Sequence, residues 1–316
     1  MPLHDLLHGL QDAAVRDLAW SIGSPALIDP HAPEFSGRVL SDAFFSARLN
    51  EAAPWLRELD RHPAALHAFL DVDHTHRLGR YFEQLLHYWL SHSGADGLRV
   101  NLQAGHTTGE FDFVFHKEAW GGWLHWETAV KFYLQASPDT DWAHFIGPNP
   151  QDRLSDKLHK LFDKQLKLGE TTEGRAALGF DHALTPRAWV KGYLFHPAGS
   201  QPGGASGLSP QALSGWWLRH GSQALPASSE APRWKLLHRL AWLAPARATE
   251  GDKTLFDSAR MESIVARHFE KSHTPLLLAE LAPDENGVWN EIARGFVVSA
   301  QWPDLGPDLG PDLPAA

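Results

Sequence analysis

Polar and apolar residues alternate most clearly in one stretch of the chain, Gly109–Lys131, which reads GEFDFVFHKEAWGGWLHWETAVK. Alternation with a period of two is typical of β-strands, in which successive side chains point to opposite faces. The pattern predicts one strand over Glu110–Phe115 and a second over Trp123–Tyr133, with a turn at Gly121 and Gly122. The two strands are therefore expected to form a hairpin.

The two faces of this hairpin differ in chemistry. The first strand carries three phenylalanines on one face and Glu110 and Asp112 on the other. The second strand carries Glu127, Ala129 and Lys131 on a single face. Buried charges are costly unless they are paired or bind a cation, and carboxylates beside a lysine suit a Mg²⁺-dependent hydrolase, in which the amine orients water. The alternative is a solvated surface ion pair between Glu127 and Lys131.

Apolar positions spaced three and four residues apart predict helices elsewhere in the chain. These helices cover residues 4–20, residues 41–70 in two pieces divided near Pro54 and Pro63, His76–Leu90, the stretch from Asp152 or Ser155 to about Leu168, Ser214–Arg219 and Met261–Lys271. Further strands are predicted at Leu98–Ala104, Arg187–His196, Arg233–Leu243, Leu276–Leu281 and Trp289–Ser299. Ser137–Gln151 is predicted to be a loop. Helices and strands therefore mix along the chain.

Two of the predicted helices carry a polar residue of interest. In His76–Leu90, Glu83 lies at the edge of the apolar stripe, as either an ordinary surface glutamate or a carboxylate that reaches over an adjacent sheet. In the helix that ends near Leu168, Gln165 lies among leucines, and a buried amide must find hydrogen-bond partners. The same helix has a row of lysines, which is either a solvated face or the lining of a phosphate path. The row consists of Lys157, Lys160, Lys164 and Lys167.

Composition narrows the class of protein. The 316 residues are enough for one large or two ordinary domains, 43% are hydrophobic, and the 14 tryptophans are expected in the core or at interfaces. The formal net charge of −10 argues against binding nucleic acid by bulk charge, but it permits a local basic groove. The chain has no cysteine, which excludes disulfides, thiolate metal sites and cysteine nucleophiles. With no signal peptide and no apolar run of membrane-spanning length, we expect a soluble cytoplasmic protein that does not bind membranes.

The 20 histidines of the chain suggest a metal site. None of the close pairs has the His-Glu-x-x-His spacing of a zinc hydrolase: His62 with His67, His74 with His76, and His116 with His125. We therefore interpret the histidines as scattered loop and surface residues. The chain also lacks a Gly-x-Ser-x-Gly nucleophile elbow, a phosphate-binding Gly-x-x-x-x-Gly-Lys loop and the Rossmann glycine pattern, so acyl transfer, nucleotide hydrolysis and dinucleotide redox chemistry are unsupported.

The order of helix, three strands, helix and strand between about His76 and His196 resembles the core of the PD-(D/E)XK nuclease superfamily. The resemblance implies an αβββαβ core of the mixed α/β class. In that superfamily, a helix glutamate, a strand aspartate and an acid with a lysine surround Mg²⁺. The matching positions here are Glu83, Asp112, Glu127 and Lys131, and Gln165 resembles the helix glutamine of RecB-like members.

One position departs from that pattern. The usual acid is two residues before the lysine, where this chain has Ala129. Glu127 lies two residues earlier on the same face, about 7 Å away along a strand. Either Glu127 or Glu110 substitutes for the missing acid, or the site is altered or inactive.

Similarity to a second family is carried by five segments: RLGRYFEQLL, GEFDFVF, HWETAVKFYL, IGPNPQDRLSDKL and RGFVVSAQW. These segments resemble an uncharacterised bacterial family called domain of unknown function 1853 (DUF1853). The resemblance extends from the LAWSIGSPALI segment to Trp302. It implies membership of a family but no established activity.

These patterns predict the organisation of the whole chain. The expected parts are an N-terminal helical cap at 1–75, the nuclease-like core at 76–198, a linker rich in Gly, Ser and Pro at 199–209, a smaller C-terminal α+β lobe at 210–302 and a disordered tail at 303–316. The cap is expected to lie over a sheet and to carry no motif.

The leading hypothesis is a nuclease that depends on Mg²⁺ or Mn²⁺ and acts on DNA or RNA. Asp112 would bind the metal with Glu127 and Glu110, while Lys131 would orient the attacking water. Glu83 would position a metal-bound water, and Gln165 would hold the polar network. The rival hypothesis is a catalytically inactive nuclease-fold module that binds a protein or a nucleic acid.

Overall fold

The computed structural model describes residues 2–35, 37–71, 77–105, 108–138, 141–200 and 205–304. These residues form eight α-helices and ten β-strands, so the fold is mixed α/β. The chain divides into two compact units. Unit 1 comprises Met1–Lys131, Asp156–Gly192 and Gly207–Ala212, and unit 2 comprises Phe132–Ser155, Tyr193–Ser206 and Leu213–Ala316. Each unit therefore uses segments that are distant in sequence.

Five helices form the N-terminal part of unit 1: α1 (Leu3–Gly9), α2 (Ala13–Gly23), α3 (Asp42–Arg61), α4 (Ala64–Asp71) and α5 (Leu78–His92). The single helix predicted over residues 4–20 is two helices, because the Asp12 side chain accepts a backbone hydrogen bond (3.0 Å) and caps a new one. The predicted division near Pro54 is wrong, since α3 buries apolar residues on both sides of it, from Leu49 to Leu56. The division near Pro63 is confirmed.

Four strands build the sheet of unit 1, and two of them continue into unit 2. The strands are β1 (Asp96–Ala104), β2 (Gly109–Lys117), β3 (Gly122–Gln135) and, after β4 (Phe145–Ile146), β5 (Thr185–Pro197). Their order in the sheet is β1-β2-β3-β5, and β2 is antiparallel to both of its neighbours. The predicted hairpin is confirmed. The loop predicted over Ser137–Gln151 contains β4, which forms because it pairs with the end of β3 in unit 2.

Aromatic side chains join the sheet of unit 1 to α5. Trp126 of β3 stacks on Trp120, with ring centroids 5.6 Å apart, and lies 4.9 Å from the ring of Trp189 on β5. Trp89 of α5 stacks on Trp126 at 6.4 Å, and Phe115 of β2 meets Trp126 edge-on at 4.7 Å. Aromatic side chains bury large apolar areas, so this cluster anchors the helix that carries Glu83.

A second apolar cluster lies under the segment that follows α6 (Leu154–Asp163), namely a 3-10 helix at Gln165–Glu170 and then α7 (Thr172–Leu178). The cluster consists of Ala104, Phe111, Val114, Leu168 and Leu178. The helix predicted to reach Leu168 ends at Asp163, and the change to a 3-10 helix lets Leu166 and Leu168 be buried. Phe111 packs with Val114 here, so the expectation that the three phenylalanines of β2 share a face is wrong.

Unit 2 contains the ends of β3 and β5, together with β4, β6 (Leu213–Arg219), β7 (Arg233–Leu237), β8 (Arg247–Ala248), α8 (Ser258–Phe269), β9 (Leu276–Pro283) and β10 (Trp289–Val298). The order is β5-β6-β10-β9-β7, with β6 parallel to both neighbours and β9 antiparallel to both. The helix α8 and the strands β9 and β10 confirm the predictions. The strand predicted over Arg233–Leu243 is shorter, because Arg239–Ala241 forms a 3-10 turn.

The helix predicted over Ser214–Arg219 is wrong, because this segment forms the strand β6. Trp216 lies opposite Gly295 of β10 in the parallel register. A Cβ atom on Gly295 would lie 2.0 Å from the Trp216 side chain, so the pairing requires a glycine at this position. Strand pairing with residues far along the chain therefore decides the structure of this segment.

The two units also differ from the predicted division of the chain. Residues 132–155 and 193–198 are expected in the nuclease-like core, yet they belong to unit 2. Leu208 and Ser209, at the end of the predicted linker, are buried, and Leu208 pairs with Ile28 within unit 1. Residues 305–316 of the predicted tail lie outside the described residues.

Candidate functional site

Where the backbone pairing of β2 with β3 ends, the side chains of Asp112 and Glu127 connect the two strands. The ladder reaches Phe113 opposite Trp126. Beyond it, the Thr128 backbone N–H donates to Asp112 Oδ2 (2.7 Å) and the Asp112 backbone N–H donates to Glu127 Oε1 (3.4 Å). Each carboxyl group thus accepts a hydrogen bond from the opposite strand. The structure brings these two predicted metal ligands together.

Glu127 is fully buried, with 0% of its surface exposed. Gln165, which begins the 3-10 helix, donates from Nε2 to Glu127 Oε2 (2.7 Å), and His125 Nε2 lies 2.7 Å from Glu127 Oε1. Burial raises the pKa of Glu127 to about 8 and lowers the pKa of His125 to about 3. Burial therefore favours the neutral form of both groups in the metal-free protein.

Asp112 is the second carboxyl group of this pair. Burial raises its pKa well above the ordinary value, and the negative charge of Glu127 adds to the rise. Thr128 opposes this effect by donating from its backbone N–H and from Oγ1, the latter over 3.2 Å. Because each ionised acid in such a pair disfavours ionisation of the other, a bound divalent cation would stabilise both carboxylates.

Glu83 reaches the site from α5. Its Oε2 lies 3.3 Å from Nη1 of Arg80, one turn earlier on the same helix. Burial raises the pKa of Glu83, while the neighbouring charges of Arg80 and Lys131 lower it. The effect of Lys131 on this pKa indicates that the lysine lies within electrostatic range of Glu83.

Glu110 lies on β2, two residues before Asp112. It accepts a hydrogen bond from the side-chain amide of Gln103 on β1. The Asn101 amide, oriented to satisfy both neighbours, donates to Glu110 Oε1 (3.0 Å) and accepts from Arg80 Nη2 (3.1 Å). Glu110 also raises the pKa of Glu127 by its charge, so it contributes negative charge to the site.

Lys131 is half-buried on β3, and its backbone is closely approached by β5. A Cβ atom on Gly192 would lie 1.7 Å from the Lys131 carbonyl oxygen, and Gly192 has a φ of +143°. Glycine is the residue that fits both conditions, so β5 fixes the backbone position of Lys131. Ala129, which replaces the usual acid, is also half-buried.

The acidic side chains of this site are oxygen donors, the ligand type that Mg²⁺ and Mn²⁺ prefer. Among the described residues, no group of three or more His, Cys, Asp or Glu side chains is placed to hold a metal ion. Mg²⁺ commonly keeps several waters and binds through one or two carboxylates. Asp112 and Glu127 offer two such carboxylates, while Glu83 and Glu110 add negative charge around them.

His125 is the site residue that sequence reasoning missed. The interpretation of all histidines as loop and surface residues is wrong for His125, which is 1% exposed on β3. The signal was present in the strand pattern, because residue 125 shares the face of Glu127 by simple alternation. Its lowered pKa, by contrast, depends on burial and was invisible in the sequence.

Among the described residues, the remaining histidine pairs form no shared metal site. His62 and His67 face different carboxylates, at 3.6 and 2.9 Å. His116 is half-buried on β2. His74 and His76 lie outside the described part of the chain.

The lysine row is exposed along α6 and the start of the 3-10 helix. Its members are Lys157, Lys160, Lys164 and Lys167. Lys167 forms an ion pair with Asp163 at 3.6 Å. Gln165, which contacts Glu127, lies between Lys164 and Lys167 in sequence.

No curated protein and no solved structure matches this chain. Within the described ranges, every helix is too short or too polar to cross a membrane. The family described as domain of unknown function (DUF1853) matches residues 16–298, which is most of the chain and includes every residue of the candidate site. The chain therefore belongs to the DUF1853 family.

Proposed function

We propose that this protein is a metal-dependent nuclease that hydrolyses phosphodiester bonds of nucleic acid. The observation that carries the proposal is the contact of half-buried Asp112 with buried Glu127, to which Gln165 is hydrogen-bonded. Such a pair destabilises the protein in its ionised form unless a cation binds beside it. Glu83, on α5, and Lys131, on β3, would supply the helix glutamate and the lysine of a PD-(D/E)XK site.

Asp112 and Glu127 would hold Mg²⁺ or Mn²⁺, with Glu110 as a further acid close by. A bound ion supplies charge stabilisation at the phosphorus oxygens and lowers the pKa of water. The two carboxyl groups must lose their protons before they ligate an ion. Because burial raises the pKa of Glu127 to about 8, metal binding at neutral pH is coupled to proton release.

The other residues act on water and on the carboxyl groups. The Lys131 amine would orient the attacking water and stabilise negative charge as the water oxygen bonds to phosphorus and the P–O bond of the leaving strand breaks. Glu83 would position a second water. Gln165 and His125 hold the two oxygens of Glu127 in place through hydrogen bonds of 2.7 Å each.

Two observations favour a second candidate function, an inactive nuclease-fold module that binds a protein or a nucleic acid. Ala129 removes the acid that usually accompanies the lysine, and the formal net charge is −10. In this case the buried carboxyl pair would remain neutral and would bind no metal. The module would bind its partner without cleaving it.

Calorimetric titration with Mn²⁺ and Mg²⁺ tests the proposal, together with cleavage assays on labelled single-stranded DNA, duplex DNA and RNA. The parent protein is expected to bind the ion and to cleave at least one substrate, and Asp112→Asn is expected to lose both properties. Asp156→Asn is the matched control, because Asp156 is exposed on α6. A folded parent protein that binds neither ion contradicts the nuclease and favours the inactive module, and metal binding without cleavage of any substrate contradicts the proposed hydrolysis.

A further inference from the structure

A cavity of about 310 Å³ lies beside the candidate site in unit 1. Its volume is at the lower end of the range of about 300–1,000 Å³ typical of small-molecule pockets. Phe69 and Val100 supply apolar surface, and Gln84 and Asn101 supply side-chain amides. Apolar walls with a few placed donors and acceptors are the usual composition of a ligand pocket.

Two charged residues connect this cavity to the carboxyl pair. Arg80 and Glu83 both line the cavity, and their side chains lie 3.3 Å apart. The charge of Glu83 raises the pKa of Asp112 and of Glu127, so this wall of the cavity is within electrostatic range of the pair. In the β1–β2 register, Asn101 of the cavity wall lies level with Asp112, so a substrate with a phosphate at the carboxyl pair would have a neighbouring part of its chain near the cavity.

The backbone conformation of Asn101, which lines the cavity, is a second observation that points to a binding site. Its φ is +53°, a left-handed conformation that is uncommon in a strand and that asparagine tolerates better than most residues. The β1–β2 register has Val100 opposite Phe113 and Leu102 opposite Phe111, which puts Asn101 level with Asp112. Backbone strain of this kind persists where the surrounding structure holds it, often at binding sites.

We propose that this cavity binds a nucleobase of the substrate, next to the phosphodiester that is cleaved; this inference rests on the proposed nuclease function. The Gln84 amide offers a donor and an acceptor side by side, which matches the edge of a base. Phe69 and Val100 offer apolar contacts to its ring, and the Arg80 guanidinium can bond or stack with it. A base reaches such a cavity when it is unpaired, so single strands or extruded nucleotides are the expected substrates.

Binding of AMP, GMP, CMP and UMP to the metal-free protein in EDTA tests the cavity, with ribose 5-phosphate as the probe that lacks a base. At least one mononucleotide is expected to bind at least about tenfold more tightly than ribose 5-phosphate. Gln84→Leu, which keeps the volume and removes the amide, should weaken that binding about tenfold or more. Val100→Trp should abolish it by filling the cavity.

Gln11→Leu is the matched control, because Gln11 is exposed at the start of α2, and its nucleotide affinity should equal that of the parent. Circular dichroism establishes that each variant is folded, and Gln84→Leu alone decides the question if Val100→Trp unfolds. Equal affinity for nucleotides and ribose 5-phosphate overturns the proposal, as does unchanged nucleotide binding in the folded cavity variants. Metal-dependent cleavage without base binding contradicts only the proposed role of the cavity. Base binding without metal-dependent cleavage contradicts only the proposed nuclease function.

Discussion

The side-chain amide of Gln165 donates a hydrogen bond to Glu127 Oε2 over 2.7 Å, although the two residues are 38 positions apart in sequence. The amide lies among buried leucines, where an unpaired polar group costs about 1–3 kcal/mol. Its partner is a carboxyl group with 0% exposure, which needs a donor for the same reason. This contact links the 3-10 helix to the strand that carries Lys131.

Replacing Gln165 with leucine is expected to keep the fold and to weaken Mn²⁺ binding by about 10–100-fold, the usual loss when a group that orients a metal ligand is removed. The Gln165 hydrogen bond lowers the pKa of Glu127, so its loss makes the carboxyl group harder to ionise. Thermal unfolding and calorimetry measure the two effects. Gln151→Leu, at an exposed loop position, should behave as the parent protein does. If Gln165→Leu binds Mn²⁺ as tightly as the parent protein does, Gln165 has no role in the metal site.

The contribution of Glu127 to the stability of the metal-free protein should fall as pH rises from about 5 to about 9. Glu127 ionises near its ordinary pKa of 4.5 in the unfolded chain but with a pKa of about 8 in the folded protein. Between these values the folded state binds more protons than the unfolded state, so the free energy of unfolding decreases with pH. The raised pKa of Asp112 acts in the same direction.

Urea unfolding at pH 5, 7 and 9 measures this pH dependence. Glu127→Gln should flatten the dependence, whereas Glu285→Gln, at an exposed turn, should leave it unchanged. Saturating Mg²⁺ should oppose the loss of stability at high pH, because the ion binds the ionised carboxylates. A parent protein and a Glu127→Gln variant with the same pH dependence of stability without metal would contradict the raised pKa of Glu127.

The lysine row should contribute to nucleic-acid binding through contacts with phosphates. The double variant Lys160→Glu/Lys164→Glu is expected to weaken binding and to reduce the slope of log affinity against log salt by about 1–2. Fluorescence anisotropy at several salt concentrations measures both quantities. The control Lys253→Glu/Lys271→Glu makes the same change in net charge at exposed positions of unit 2. Equal losses in the two double variants would show a general charge effect rather than a phosphate path.

Gly192→Ala should destabilise the protein by more than about 3 kcal/mol and disturb the position of Lys131. The added Cβ would lie 1.7 Å from the Lys131 carbonyl oxygen, so the strands must separate. Gly179→Ala is the matched control, because Gly179 also has a positive φ of +66° but no atom lies within 4 Å of an added Cβ. It should cost only about 1–2 kcal/mol. Urea unfolding compares the two variants, and equal costs would refute the close approach of β5 to Lys131.

Local periodicity in the sequence determined much of the secondary structure of this protein. Alternation alone predicts the β2–β3 hairpin, which the strand pairing confirms. Helical spacing predicts α5 and the position of Glu83 on it. These inferences succeed because strand and helix geometry follow from neighbouring residues in the chain.

Tertiary structure decided the rest. Ser214–Arg219 is a strand because β5 and β10 pair with it, and the helix expected to reach Leu168 ends early because leucines beyond it are buried in the sheet of unit 1. The neutral state of Glu127 and His125 likewise depends on burial by distant segments. Pairing partners and desolvation are set by residues far away in sequence, and no local pattern records them.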